Sequence, residues 1–167
     1  MRERQDAHLV LQYGNFDSMY RRLIGMARKI SGMYTVRPRM AHTSFLKLQN
    51  LTPEEIEQAS HYAKEATMML KGSRVKVTGT GIFPGYRRDL YHMTVSPEVS
   101  LEMVTQAMGG LPVREPHISM GYISTRQAEG INGSHGQAIK RLIDTLDQLT
   151  VTKAELLVKK RGSFHGR

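Results

Sequence analysis

The sequence contains no cysteine, which excludes disulfides, thiolate metal sites and cysteine nucleophiles from the outset. No apolar run approaches the length of a signal-peptide core or a membrane span, and the charged opening Met1-Arg2-Glu3-Arg4-Gln5-Asp6 leads directly into a strand pattern. A soluble, unprocessed, cytoplasmic protein with no membrane association is the expectation. Blocks of five or six consecutive basic residues are missing, so a basic tail that grips nucleic acid nonspecifically is a poor description. There is no glycine fingerprint of a dinucleotide site and no acidic cluster with metal-ligand spacing, so neither a cofactor nor a metal is expected.

What is present is positive charge. The chain has 167 residues, with 24 Lys and Arg against 15 Asp and Glu, for a formal net charge of +9. That balance favours encounter with polyanions, of which nucleotides and nucleic acid are the commonest; charge kept only for solubility is the competing reading. The charge is dispersed in small clusters at Arg21-Arg22, Arg37 to Arg39, Arg87-Arg88 and Lys159-Lys160-Arg161, which suits a field around a cleft. The length fits a single domain over 1–167, with a monomer as the simplest state.

Strands and helices alternate along the chain. Ala7 to Gln12 reads as a first strand, ended by Tyr13-Gly14-Asn15, and Asp17 or Ser18 caps a helix carrying Met19, Leu23, Ala27 and Ile30 at helical spacing. A connector containing Arg37-Pro38-Arg39 leads into a strand from Met40 to Leu48. Thr52, Pro53 and Glu55 form a capping box with proline at the first helical position, and Ile56, Ala59, Ala63, Ala66 and Leu70 make one apolar stripe up to Gly72. Arg74 to Thr78 and Asp89 to Val95 read as a hairpin whose long, basic-tipped loop begins at Gly79. Ser96-Pro97-Glu98 is expected to start a third helix running to about Met108. A strand from Pro116 to Ile123, a polar loop over Arg126 to Gly136, a helix through Ala138 to Leu146 and a closing strand from Ala154 to Lys159 complete an α+β reading.

Two strands share a pattern: His42-Thr43-Ser44 and His117-Ile118-Ser119. Side chains alternate along a strand, so His42 and Ser44 point one way together, as do His117 and Ser119. If the two strands face one cleft, two proton-transfer groups and two hydroxyl donors converge on a small ligand. A third occurrence, His92-Met93-Thr94, shows how cheaply the three-residue pattern arises.

His42-Thr43-Ser44-Phe45-Leu46 and His117-Ile118-Ser119-Met120-Gly121 resemble the paired His-x-Thr/Ser motifs of the 2H phosphoesterase superfamily, which includes 2′-5′ RNA ligases and RNA cyclic phosphodiesterases. The Leu9-Val10-Leu11 strand, the helix start at Leu51 to Glu55, Gly79 to Pro84, Pro116 and the Leu156-Leu157-Val158 strand are similar to that family's layout in the same order, so the resemblance covers nearly the whole chain. Both motifs carry serine where threonine is commoner, which keeps the hydroxyl, and Tyr122 stands where many members have a basic residue. The resemblance implies a bilobal fold of two related sheet-and-helix halves around a basic cleft, with His42, Ser44, His117 and Ser119 catalytic. It sets His92 aside, because the family carries no catalytic residue on the hairpin between the motifs.

The implied activity is metal-independent cleavage of nucleotide or RNA phosphodiesters: 2′,3′-cyclic phosphates, 2′-5′ linkages or cyclic oligonucleotides, including immune messengers. The partner would be RNA or a cyclic oligonucleotide substrate. Tyr13, Phe83, Tyr86 and Tyr122 are candidates for stacking on a base, with Tyr13 and Tyr86 preferred because they sit in loop-like sequence; ordinary packing is the competing reading. Arg87, Arg88 and Lys160 are candidates for flanking phosphates. RNA-end 2′-5′ ligation, or RNA binding without turnover, are the alternative functions.

Overall fold

The computed structural model describes residues 3–14, 16–31, 41–86, 88–107, 113, 115–124, 134–146 and 148–159. The Arg37-Pro38-Arg39 connector, Arg87 and Lys160 lie outside the described residues. Six strands and four helices are described, in the order β1 (Gln5–Gly14), α1 (Asp17–Ser31), β2 (His42–Leu51), α2 (Pro53–Leu70), β3 (Arg74–Phe83), β4 (Asp89–Pro97), α3 (Leu101–Ala107), β5 (His117–Ile123), α4 (Ser134–Asp144) and β6 (Leu149–Lys159). The protein is α+β, as the alternation of patterns predicts. No helix among the described residues is long and apolar enough to cross a membrane.

Every strand pairing is antiparallel, and the sheet closes in the order β1-β2-β5-β4-β3-β6. The closure is uneven. Long ladders join β6 to β1, β1 to β2, β3 to β4 and β4 to β5, whereas among the described residues β2 meets β5 at the single pair Thr43 and Ile118, and β3 meets β6 only at Arg74 with Thr150 and Val75 with Leu149. The sheet therefore consists of two three-stranded ladders, β6-β1-β2 and β5-β4-β3, joined by two thin seams.

One face of the sheet carries the core. Leu9 and Leu11 of β1, Phe45 of β2, Met93 of β4, and Ile118 and Met120 of β5 are fully buried, and Tyr20, Leu23 and Ile24 of α1 belong to the same cluster. Placing that much aliphatic and aromatic surface between sheet and helices is the main stabilising term of the fold.

Helix α2 forms where the local chemistry directs it. The Thr52 hydroxyl accepts from the Glu55 amide at 3.2 Å, and the Glu55 carboxylate accepts from the Thr52 amide at 3.1 Å, which satisfies two donors that a helix start leaves unpaired. Those bonds hold the Glu55 carboxyl below its ordinary pKa. The buried stripe Ala59, Ala63, Ala66 and Leu70 packs inward, and Gly72 ends the helix with a φ of 83°, its amide donating to the Val151 carbonyl at 2.9 Å.

Several boundaries differ from the sequence expectation, among them the start of β6, at Leu149 instead of Ala154, and the span of β2, His42–Leu51 instead of Met40 to Leu48. Strand β3 runs on to Phe83 instead of turning at Gly79, because Gly79, Gly81 and Phe83 stay paired with Thr94, His92 and Leu90. Helix α3 begins at Leu101, not near Glu98: Pro97 is still paired with Val75, and Ser100 provides the cap, its carbonyl accepting from the Val104 amide at 3.3 Å. Tyr13 lies within β1, paired with Val151, not in a loop.

Candidate functional site

The pairing of Thr43 with Ile118 decides how the two histidine motifs meet. Both side chains are fully buried on the core face. One residue to either side in an antiparallel ladder, His42 comes level with Ser119, and Ser44 with His117, and all four side chains leave from the opposite face. His42, Ser44 and Ser119 are half-buried, while His117 is only 6% exposed. The two imidazoles thus stand on either side of the thin β2–β5 seam, one on each three-stranded ladder.

His117 is held by its neighbours. Its Nδ1–H donates to the Glu115 carbonyl at 2.9 Å, two residues back across Pro116. A carbonyl can only accept, so in the neutral ring the proton sits on Nδ1 and the lone pair on Nε2. The ring meets Phe83 edge-on with centroids 4.9 Å apart and an interplanar angle of 84°.

The same ladder rule brings in His92. It is paired with Ser119 across β4–β5 and with Gly81 across β3–β4, on the face that carries His117. Its ring stacks on Phe83 at 3.9 Å and 21°, and its centroid lies 5.3 Å from that of His117. A Cβ at Gly81 would fall 2.8 Å from His92 Nε2, so glycine is what lets the ring lie over β3. Burial holds the His92 pKa below its ordinary 6.5, and the neighbouring His117 pushes it the same way; the Leu90 carbonyl and Glu115 oppose them. His92, set aside in the sequence because it falls on the hairpin, is packed against His117. Gly81 set two residues before Phe83 is the local trace of that packing, but only the register reveals it.

A fourth imidazole touches the motifs. His8 Nδ1 lies 3.0 Å from Ser44 Oγ, and its strand neighbour Gln12 hydrogen-bonds the Glu155 carboxylate. If Nδ1 of His8 carries a proton, it donates to Ser44 and leaves the serine hydroxyl hydrogen to point elsewhere; otherwise the serine donates to His8.

Beside His117 opens a cavity of about 390 Å³, walled by Phe83, Pro84, Leu90 and Tyr122, with Arg88 and Glu115 at its edge. Tyr122 reaches this side through a bulge. The register slips between Tyr91 and His92, so Tyr122 stands opposite Leu90 instead of continuing the alternation of Ile118 and Met120 into the core. Of the substrate-binding candidates, Arg88 and Tyr122 line the cavity, and Tyr86 is on the adjoining loop with 95% of its surface exposed. Tyr13 is corrected. It is 5% exposed on the core face, its hydroxyl is hydrogen-bonded to that of Thr43, and burial pushes its pKa up to about 12, so its ring has no open side for a base.

Among the described residues, no group of three or more histidine, cysteine, aspartate or glutamate side chains has the geometry to hold a metal ion. No protein-family model and no curated protein matches the chain.

Proposed function

We propose that this protein is a two-histidine phosphoesterase that acts on nucleotide or RNA phosphodiesters, with His42 and His117 as the acid–base pair. The observation that carries the reading is the Thr43–Ile118 register, which sets His42, Ser44, His117 and Ser119 on one face across the β2–β5 seam. The division of the sheet into two three-stranded ladders supports the finer reading of a bilobal 2H-like fold, each lobe contributing one motif. A cytoplasmic, monomeric enzyme belongs to the same proposal.

The chemistry follows from what imidazole does near neutral pH. With a 2′,3′-cyclic phosphate, one histidine takes a proton from water as its oxygen bonds to phosphorus. The other delivers a proton to the ribose oxygen as its bond to phosphorus breaks. Neutral His117, with its proton on Nδ1, offers the Nε2 lone pair as base; as imidazolium it offers Nε2–H as acid, and the Glu115 carbonyl stabilises that charged form. Ser44 and Ser119 donate to the non-bridging oxygens, where charge shifts in the transition state. For a 2′-5′ or 3′-5′ linkage the neighbouring ribose hydroxyl replaces water, and the reverse direction is ligation.

The test is a substrate panel of 2′,3′-cyclic nucleotides, 2′-5′ oligoadenylate and cyclic di- and trinucleotides, incubated in EDTA. Turnover with a bell-shaped pH profile is expected. His42→Ala and His117→Ala should each lose about 10²–10⁴-fold in kcat, with circular dichroism confirming that the variants fold. Full activity in either variant, or abolition by EDTA, rejects the mechanism. Binding without turnover across the panel would favour the RNA-binding alternative.

A further inference from the structure

The cavity beside His117 has a composition that the acid–base scheme does not use. Phe83, Leu90 and Tyr122 form a continuous row across three strands: Phe83 is paired with Leu90, and Leu90 with Tyr122. This row gives the cavity an apolar, aromatic wall, and Tyr122, 43% exposed, supplies the accessible ring surface. Two exposed groups of opposite sign, Arg88 and Glu115, complete the lining. Its volume of about 390 Å³ falls within the usual range for small-molecule sites, roughly 300–1,000 Å³.

We propose that this cavity is a guanine-selective base subsite, receiving the base of a nucleotide whose phosphodiester lies at His117. A phosphate is a poor occupant of the cavity itself, because the Glu115 carboxylate would repel it. A flat, uncharged heterocycle fits the aromatic wall, and the opposed charges then select its edges. Guanine carries adjacent N1–H and N2–H donors that a carboxylate accepts in bidentate fashion, and adjacent O6 and N7 acceptors that a guanidinium bridges. Adenine and uracil lack both of those paired edges, and cytosine lacks the paired donors. Because His117 forms one wall, a base in the cavity brings its own sugar-phosphate next to the imidazole. The proposal deepens the phosphoesterase reading and rests on it only for where the phosphate lies.

Binding separates the two ideas, since it requires no turnover. Titration calorimetry with guanosine, adenosine, cytidine and uridine 3′-monophosphates should show guanosine 3′-monophosphate bound about tenfold or more tightly than the other three. Glu115→Gln keeps the backbone carbonyl that holds His117 and should erase that preference, as should Arg88→Met. Tyr122→Ala should weaken guanosine 3′-monophosphate binding. Guanine preference without hydrolysis of the cyclic phosphate would uphold the subsite while rejecting the phosphoesterase reading. Equal affinity for the four nucleotides, or a preference that survives Glu115→Gln, overturns the subsite.

Discussion

At the scale of single residues, the most consequential side chain is one that the motif pattern assigned no role. His92 is 2% exposed, stacked on Phe83, and shares its surroundings with His117 and Glu115. Its pKa is lowered in the folded protein, chiefly by burial, so the unfolded chain takes up the proton first as pH falls. Above the unfolded value of 6.5 both states are neutral and the full stability is present; below it, stability is lost progressively down through the folded pKa. Urea denaturation over a pH series should therefore show stability declining as pH falls below 6.5. His92→Gln should decline less over the same interval, because glutamine does not titrate. Identical pH dependences in the two proteins would mean that His92 ionises as freely when folded as when unfolded.

At the scale of elements, the second motif strand is held by a long ladder to β4 on one side, while its contacts with β2 and α1 are thin. Among the described residues β5 meets β2 at one pair, and from helix α1 the Tyr20 hydroxyl donates to the Ser119 carbonyl at 2.5 Å. Burial pushes the Tyr20 pKa up to about 12, so the donor proton is retained throughout the working pH range. Tyr20→Phe keeps the packed ring and deletes the bond, leaving the Ser119 carbonyl without this donor. The expected cost is about 0.5–1.5 kcal/mol in urea denaturation, with a matching fall in thermal midpoint. An unchanged midpoint would show that the Ser119 carbonyl gains nothing from α1.

Over the whole molecule, what the sequence made legible and what it hid divide along one physical line. Features written in contiguous residues were readable: the Thr52-Pro53-Glu55 helix start, the apolar stripe of α2, and the shared face of His and Ser within each motif. Features written in cross-strand register were not. The slip between Tyr91 and His92 re-aims Tyr122, the pairing of Gly81 with His92 admits a buried imidazole, and the pairing of Tyr13 with Val151 draws that tyrosine into a strand. Alternation assigns faces inside one strand and says nothing about which neighbour is opposite, so a one-residue bulge escapes it.

Net charge is the other whole-molecule property, and under the proposed phosphoesterase function it bears on the length of substrate engaged. A chain at +9 attracts polyanions through contacts that release counterions, and those contacts weaken with salt. For a single strand each neutralised phosphate contributes a slope of about 0.7 in log affinity against log salt, so two flanking contacts lose roughly sevenfold over a fourfold rise in salt. A mononucleotide 2′,3′-cyclic phosphate has no flanking phosphates to lose. KM for a short oligonucleotide should therefore climb several-fold between about 50 and about 200 mM salt while KM for the cyclic mononucleotide moves far less. Parallel salt dependences for the two substrates would assign the positive charge to solubility alone, and confine recognition to the nucleotide at the His42–His117 seam.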